Sequence, residues 1–363
     1  AGSSNGRTPA FEAENHSSNL CPATIFSNHL MNVFIDIIIL CICFFLLIVG
    51  SEWVMKGAVA LARRLNVSEL VIASTIIALG TGLPTIAVNL FLVLGNSNGV
   101  DVAIGNALGT NFVNIGLGLG IPALLLTIVT KYEVFEKEIP IYLGLCSLLT
   151  CFMLDSKITR VEGLILLFAY IFALFIIYQY SVRERLKDAD KEEIDVDTST
   201  ISTITTEGLT ILKSLLYIIC GFLLLTLSSL CLNNITGRLV LDFNISEYVL
   251  GLTIIGIGTS IPMIYTSIRS AKNGYTDIIV GNVFGSTIAN IALGAGLPAV
   301  ITPIALNQEA LNDIYYFGIL NMIVIFGLLV EMKLLGKNKA LNWVSGLVII
   351  VFYVVYLGSK FIH

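Results

Sequence analysis

The chain carries one apolar segment twice, and each copy is interrupted by glycine and proline at the same place. Residues 66–90 read NVSELVIASTIIALGTGLPTIAVNL and residues 244–268 read NISEYVLGLTIIGIGTSIPMIYTSI, with 11 of 25 aligned positions identical. A second pair follows at a similar distance, DVAIGNALGTNFVNIGLGLGIPAL from Asp101 and DIIVGNVFGSTIANIALGAGLPAV from Asp277. Duplicated, interrupted apolar segments are typical of secondary transporters whose site lies between two repeats.

The composition is that of a membrane protein, with a mean hydropathy of +0.90 and only 12% charged residues. A soluble domain could not cover its surface with so few polar groups. Backbone polar groups cannot stay unpaired in hydrocarbon, so the apolar runs are predicted to be helices of an all-α membrane protein. Hydropathy predicts ten spans, at about residues 32–52, 67–95, 100–130, 138–155, 160–182, 208–234, 246–271, 276–304, 312–333 and 340–360.

Lysine and arginine predict the orientation of these spans. Most of the 20 basic residues fall in loops that follow odd-numbered spans. The opposite side holds only Arg7, Lys157, Arg160, Arg238 and Lys360. The positive-inside rule therefore predicts a multi-pass protein with both termini on the non-cytoplasmic side.

A polar stretch, residues 183–207, divides the chain into halves of five spans each. Five is odd, so the halves are predicted to be inverted repeats. The predicted organisation is a polar N-terminal segment or tag remnant (1–30), a first five-helix repeat (31–182), an acidic cytoplasmic linker (183–207) and a second five-helix repeat (208–363). The acidic run within the linker is interpreted as solvated chain or, alternatively, as a regulatory Ca²⁺ site.

Two proline-containing motifs predict the centre of the site. Pro84 follows Gly80-Thr81-Gly82, and Pro262 follows Gly258-Thr259-Ser260. We expect each proline to interrupt its helix and to free carbonyls that face a cavity. Half-helices beginning near the prolines would aim positive dipole ends at this cavity. The alternative is that the small polar residues only allow helices to pack closely.

Here the residues resemble a known family. GTGLP and GTSIP, each followed by GN-x-x-G-[ST]-x-x-x-N, are similar to the two α-repeats of the cation/Ca²⁺ antiporter superfamily, which includes sodium/calcium exchangers. The resemblance implies ten helices in a sodium/calcium exchanger-like fold, with spans two, three, seven and eight around a central ion site. By position it implies a lining of Thr81, Thr85, Thr110, Asn114, Thr259, Met263, Ser286 and Asn290.

The departures from the family pattern concern charge. A glutamate follows each proline motif in the family, whereas this chain has Thr85 and Met263. Asn290 also stands where exchangers often carry an acid. Ca²⁺ prefers six to eight oxygens that include carboxylates, whereas a neutral site suits a monovalent cation held by dipoles. A neutral or anionic solute is the alternative cargo, and Met263 could serve a soft metal or simply pack.

The expected function is secondary active cation antiport by alternating access, with Na⁺ or another monovalent cation favoured over Ca²⁺. No cofactor is expected; the expected partners are the lipid bilayer and small inorganic ions, with no nucleic acid. Asp101 and Asp277 are interpreted as helix caps or as an ion vestibule. No enzymatic motif is present, and His16, His29 and His363 lie outside the spans. The rival hypothesis is a non-transporting sensor or scaffold that kept the fold.

Overall fold

The computed structural model describes residues 22–65, 76, 78–95, 99–128, 132–188, 209–274, 276–335 and 341–361. These residues are mostly helical. The helices of the first half are α1 (Pro22–Arg64), α2 (Ala78–Gly95), α3 (Gly99–Gly116), α4 (Gly120–Leu125), α5 (Tyr132–Met153) and α6 (Arg160–Asp188). The second half contains α7 (Ile211–Phe243), α8 (Glu247–Leu250), α9 (Gly256–Lys272), α10 (Thr276–Ala289), α11 (Gly296–Ile301), α12 (Gln308–Leu335) and α13 (Trp343–Ser359).

Within the described part of the chain, seven helical segments are long and apolar enough to cross a membrane. Three shorter apolar helices, Leu79–Gly95, Glu138–Met153 and Trp343–Ser359, fall in three further predicted spans. Large apolar side chains such as Phe45, Phe172 and Phe326 are exposed, as expected for surfaces that face lipid. The chain is therefore built as an integral, multi-pass membrane protein.

Two predicted boundaries are wrong. Helix α1 begins at Pro22, inside the predicted polar N-terminal segment 1–30, and proline is favoured in the first turn of a helix. Helix α6 continues to Asp188, past the predicted end of the fifth span. Residues 1–21 and most of the linker, residues 189–207, lie outside the described residues, as do residues 67–75 and 77 of the second span.

The predicted break at each proline motif is also wrong. Helix α2 runs through Pro84, and α9 runs through Pro262. The helical register changes elsewhere, in the π-helical turns π1 (Gly251–Ile255) and π2 (Asn290–Ala295) and at Ile76. A π turn widens the helix locally and changes its hydrogen-bond register.

Helices α1 and α7 pack against each other at a glycine contact. A Cβ added to Gly221 would lie 2.7 Å from the carbonyl oxygen of Gly50, and one added to Gly50 would lie 3.0 Å from the carbonyl oxygen of Gly221. An ion pair reinforces the contact, since Arg238 of α7 donates to the buried carboxylate of Asp36 on α1 at 2.8 and 2.9 Å. Glycine at both positions lets the two backbones touch.

A second buried ion pair joins α12 to the residue that follows α13. Lys360 donates to Asp313, whose side chain is fully buried. The Tyr248 hydroxyl donates to the other oxygen of Asp313 at 2.8 Å, and the Lys360 ammonium lies 5.3 Å from the centre of the Tyr356 ring. Ser246 caps the start of α8, since its hydroxyl accepts a hydrogen bond from the Val249 backbone N–H.

Two short strand pairings tie loops of the two halves together. Strands β1 (Lys157–Ile158) and β2 (Ile304–Ala305) are antiparallel, with Ile158 opposite Ile304. An isolated bridge joins Ile128 to Leu341 through backbone hydrogen bonds of 2.8 and 3.1 Å. Ile128 and Ile304 are equivalent positions of the duplicated segments, so each half contributes the same position to a bridge with the other.

The glycine contact between α1 and α7 can be tested with one methyl group. Gly221→Ala is expected to lower the free energy of unfolding by about 1–3 kcal/mol, because the new Cβ meets backbone that cannot move aside. Gly237→Ala in the same helix is the matched control, since a Cβ there meets nothing within 4 Å. Thermal unfolding in detergent measures both variants. Equal melting temperatures would contradict the proposed packing.

The ion pair between Lys360 and Asp313 leads to a second prediction. Lys360→Met leaves a buried carboxylate uncompensated, so a loss of about 3–5 kcal/mol is expected. Adding Asp313→Asn removes the buried charge and should restore most of that loss. Lys157→Met, at an exposed lysine, is the control. Unfolding measurements in which the double variant is no more stable than Lys360→Met would show that charge is not the cause.

Candidate functional site

The site lies where α2, α3, α9 and α10 pack around one another. The backbones of α3 and π1 touch: a Cβ added to Gly109 would lie 2.1 Å from the carbonyl oxygen of Leu252. On the π1 side, a Cβ added to Gly251 would lie 2.2 Å from the carbonyl oxygen of Val102. Glycine at these positions is therefore a steric requirement, and it brings the polar residues that follow into contact.

Two threonine–asparagine hydrogen bonds cross between the halves. Thr81 Oγ1 donates to Asn282 Oδ1 at 3.1 Å, and Thr259 Oγ1 donates to Asn106 Oδ1 at 3.0 Å. Thr81 and Thr259 are equivalent in the repeated sequence, and so are Asn106 and Asn282. The same contact is therefore made twice, each time from the proline motif of one half to the glycine–asparagine motif of the other.

Hydroxyl oxygens gather around the second of these bonds. Thr110 Oγ1 lies 3.2 Å from Thr259 Oγ1, 3.4 Å from Thr85 Oγ1 and 3.3 Å from Asn106 Oδ1. All four residues are at most 2% exposed. We call Thr85, Asn106, Thr110 and Thr259 the oxygen cluster. It joins residues 80–85 to residues 258–263, the proximity that the sequence predicts.

Asn89 supports the oxygen cluster and was missed in the sequence. Its amide Nδ2 donates to the carbonyl oxygen of Gly294 at 2.8 Å, and its Oδ1 accepts from Asn106 Nδ2 at 2.6 Å. A usable signal was present: Asn89 lies four residues after Thr85 on an apolar helix, so both face the same side.

A similar arrangement supports Asn282 in the other half. Asn282 Nδ2 donates to Thr266 Oγ1 at 2.9 Å, and Thr266 Oγ1 donates to the carbonyl oxygen of Met263 at 2.9 Å. Asn282 is 7% exposed, whereas Asn106 is fully buried. The two threonine–asparagine contacts thus have the same hydrogen-bond direction, but Asn282 is less deeply buried than Asn106.

Three more predicted residues lie on α3, α10 and π2. Asn290 Oδ1 and Ser286 Oγ would lie 3.4 and 3.8 Å from a Cβ at Gly82, so both face the proline motif of α2. Both amide atoms of Asn290 are buried without a hydrogen-bond partner. Asn114 Nδ2 lies 3.4 Å from Thr287 Oγ1, while its Oδ1 is buried without a partner. Such oxygens are satisfied when an ion or water binds.

The structure places Met263 in packing contacts. It is fully buried, and its sulfur would lie 2.8 Å from a Cβ at Gly118. Ser267 Oγ donates to the sulfur at 3.5 Å. These are the contacts of a core methionine.

The oxygen cluster is built from uncharged groups. Among the residues that the structure describes, no group of three or more His, Cys, Asp or Glu side chains is placed so that it could hold a metal ion. Glu138 of α5 approaches the site from one side, with its carboxylate 3.4 Å from the position of a Cβ at Gly281, the residue before Asn282. Sequence analysis missed Glu138, because it lies outside both motifs.

These features define a class of protein: a multi-pass helical membrane protein whose repeated polar motifs meet in its interior, as in a membrane transporter. The family described as sodium/calcium exchanger protein matches residues 35–179 and 213–361. The chain belongs to this family, whose members are transporters rather than enzymes.

Individual relatives agree with this placement. The inner membrane protein YrbG of Escherichia coli is 32% identical over 293 residues, which are 78% of this chain and 85% of YrbG. The sodium/calcium exchanger MaX1 of Methanosarcina acetivorans is 27% identical over 90% of this chain and 99% of its own length. The solved sodium-calcium exchanger NCX_Mj, soaked with Na⁺ and Sr²⁺, is 25% identical with a TM-score of 0.58, covering 90% of this chain and 99% of that one.

The close approach of α3 and π1 predicts a functional effect. In Gly109→Ala, the added Cβ meets the Leu252 carbonyl, so the helices must separate and Thr110 must move away from Thr259. We expect ion flux in proteoliposomes to fall at least about tenfold, since the ligand geometry is disturbed by several tenths of an ångström or more. Gly318→Ala, where a Cβ meets nothing within 4 Å, should transport normally. Normal flux by Gly109→Ala would contradict the geometry.

Proposed function

We propose that the chain is a secondary active antiporter that carries a monovalent cation, Na⁺ or one of similar hydration, in preference to Ca²⁺. The proposed ligands are the hydroxyls of Thr81, Thr85, Thr110, Thr259 and Ser286 and the amide oxygens of Asn114 and Asn290. Met263 borders this site as a packing residue. In this proposal the ions are the transported substrates, and transport needs no cofactor.

The observation that carries this proposal is the uncharged oxygen cluster. Removing a divalent ion from water costs far more than neutral hydroxyls and amides return at low dielectric. Carboxylates normally supply that difference for Ca²⁺. A monovalent ion is held by oriented dipoles alone, as in channels built of carbonyl oxygens. The lack of charge in Thr85, Thr110, Thr259 and Asn106 therefore favours a monovalent cargo.

We further propose ten spanning helices arranged as two inverted repeats, residues 31–182 and 208–363, joined by a cytoplasmic linker at 183–207. The doubled family match and the doubled threonine–asparagine contact support this arrangement. Both termini, including the segment 1–30, would lie on the non-cytoplasmic side. The repeats would rock against each other to expose the site alternately, with lipid and small inorganic ions, and no nucleic acid, as partners.

A single side chain should change the ion preference. Thr85→Glu places a carboxylate beside Thr110, so Ca²⁺ binding is expected to strengthen at least about tenfold relative to Na⁺. Thr85→Gln has the same size without the charge and should not favour Ca²⁺. Ion-dependent thermal shifts of the purified protein measure both. If Glu and Gln behave alike, charge at this position does not determine selectivity.

Flux in proteoliposomes tests the function itself. A Na⁺ gradient should drive exchange of a labelled monovalent cation, with little uptake of ⁴⁵Ca²⁺. Robust Na⁺-driven Ca²⁺ uptake that survives Thr85→Ala would overturn the proposed site. The absence of any flux, together with no thermal shift from any ion, would instead favour a sensor or scaffold.

A further inference from the structure

We propose that Asn89 and Thr266 are positioning residues that turn the amide oxygens of Asn106 and Asn282 toward the threonine ligands of the site. A backbone carbonyl sets the orientation of each of these two residues. Each residue in turn sets the direction of the hydrogen bonds that lead from it to a threonine ligand. We call the two series the Asn89 relay and the Thr266 relay. This inference rests on the proposed function, and it adds the residues that orient the proposed ligands.

The Asn89 relay begins at the Gly294 carbonyl, which can only accept. The atom of Asn89 that faces it, at 2.8 Å, must therefore be the amide nitrogen, and Asn89 Oδ1 must point toward Asn106. That oxygen accepts from Asn106 Nδ2 at 2.6 Å. Asn106 Oδ1 is consequently turned toward the hydroxyls of Thr110 and Thr259. The direction of both amides follows from one carbonyl.

The end of the Asn89 relay determines how Thr259 presents itself. Its hydroxyl lies 3.0 Å from Asn106 Oδ1, 3.0 Å from the Ile255 carbonyl and 3.4 Å from the Gly256 carbonyl. These three neighbours accept, whereas the Thr110 hydroxyl, at 3.2 Å, can donate or accept. A hydroxyl has one hydrogen and two lone pairs. The hydrogen is drawn toward these acceptors, so lone pairs of Thr259 remain for a cation.

The Thr266 relay repeats this logic with different residues. The Met263 carbonyl takes the hydroxyl hydrogen of Thr266 at 2.9 Å, which leaves Thr266 Oγ1 to accept from Asn282 Nδ2. Asn282 Oδ1 therefore faces Thr81 and accepts its hydrogen at 3.1 Å. Both relays end at equivalent threonines, Thr259 and Thr81, and each threonine donates its hydrogen to an asparagine Oδ1. Asn89 and Thr266 themselves are not equivalent positions.

The experiment changes Thr266, which is not itself a proposed ligand. Thr266→Val keeps the shape and removes the acceptor for Asn282 Nδ2, so the amide can turn and present its nitrogen to the site. Thr266→Ser keeps the hydroxyl. Ion-dependent thermal shifts of the full chain in detergent, titrated with NaCl against choline chloride, give the apparent Na⁺ affinity. We expect about a tenfold loss in Thr266→Val and recovery in Thr266→Ser.

Two further variants separate direction from stability. Thr226→Val removes an exposed hydroxyl that bonds only its own helix at the Phe222 carbonyl, so Na⁺ affinity should not change. Asn89→Leu keeps the size and removes both the donor to the Gly294 carbonyl and the acceptor for Asn106, so we expect its Na⁺ affinity to fall as in Thr266→Val. Melting temperatures without Na⁺ provide the reference for each variant.

The outcomes distinguish the two proposals. If the unaltered protein responds to Na⁺ and Thr266→Val responds equally, the relay is overturned and the proposed function stands. If the unaltered protein responds to an anion series at constant cation, the relay and the cationic cargo are both overturned. If it responds to no monovalent cation, the proposed function fails and the relay fails with it. A selective loss in Thr266→Val, with recovery in Thr266→Ser, supports both.

Discussion

Hydrogen bonds between uncharged side chains hold the centre of this protein together. In a low-dielectric interior each unmet donor or acceptor is costly, so Thr81, Thr259, Asn106 and Asn282 can be buried only if they meet one another. They meet because glycines such as Gly109 let the backbones touch. The glycines and the polar contacts therefore depend on each other. The glycines let the helices approach closely, and the hydrogen bonds make that close approach favourable.

The sequence predicted the contacts of the site better than its backbone. Equivalent motifs predicted that Thr81, Thr110 and Thr259 lie in the interior; the structure places Thr110 beside Thr259 and bonds Thr81 to Asn282. It did not predict the π turns at Gly251 and Asn290, because the widening of a helix depends on tertiary packing that no local pattern encodes. Proline was given too much weight, since neighbouring helices can accommodate it within a continuous span.

The residues that sequence analysis missed share a physical cause. Asn89 stands opposite Ser267 in the repeat alignment, so comparison of the two copies did not single it out. Glu138 and Asp313 lie in helices outside the motifs, and only the packing brings Glu138 to Gly281 and Asp313 to Tyr248. Repeat comparison finds what two copies keep in common. It does not find what one copy adds, nor what a distant helix contributes through folding.

The carbonyl anchors of the two relays bear on how a duplicated gene can diverge. A peptide carbonyl persists through every side-chain substitution, so the polarity it imposes is inherited whatever residue occupies Gly294 or Met263. Asn89 and Thr266 are not equivalent positions, and neither are Gly294 and Met263. Each copy therefore reaches the same direction of hydrogen donation through its own side chain and its own carbonyl.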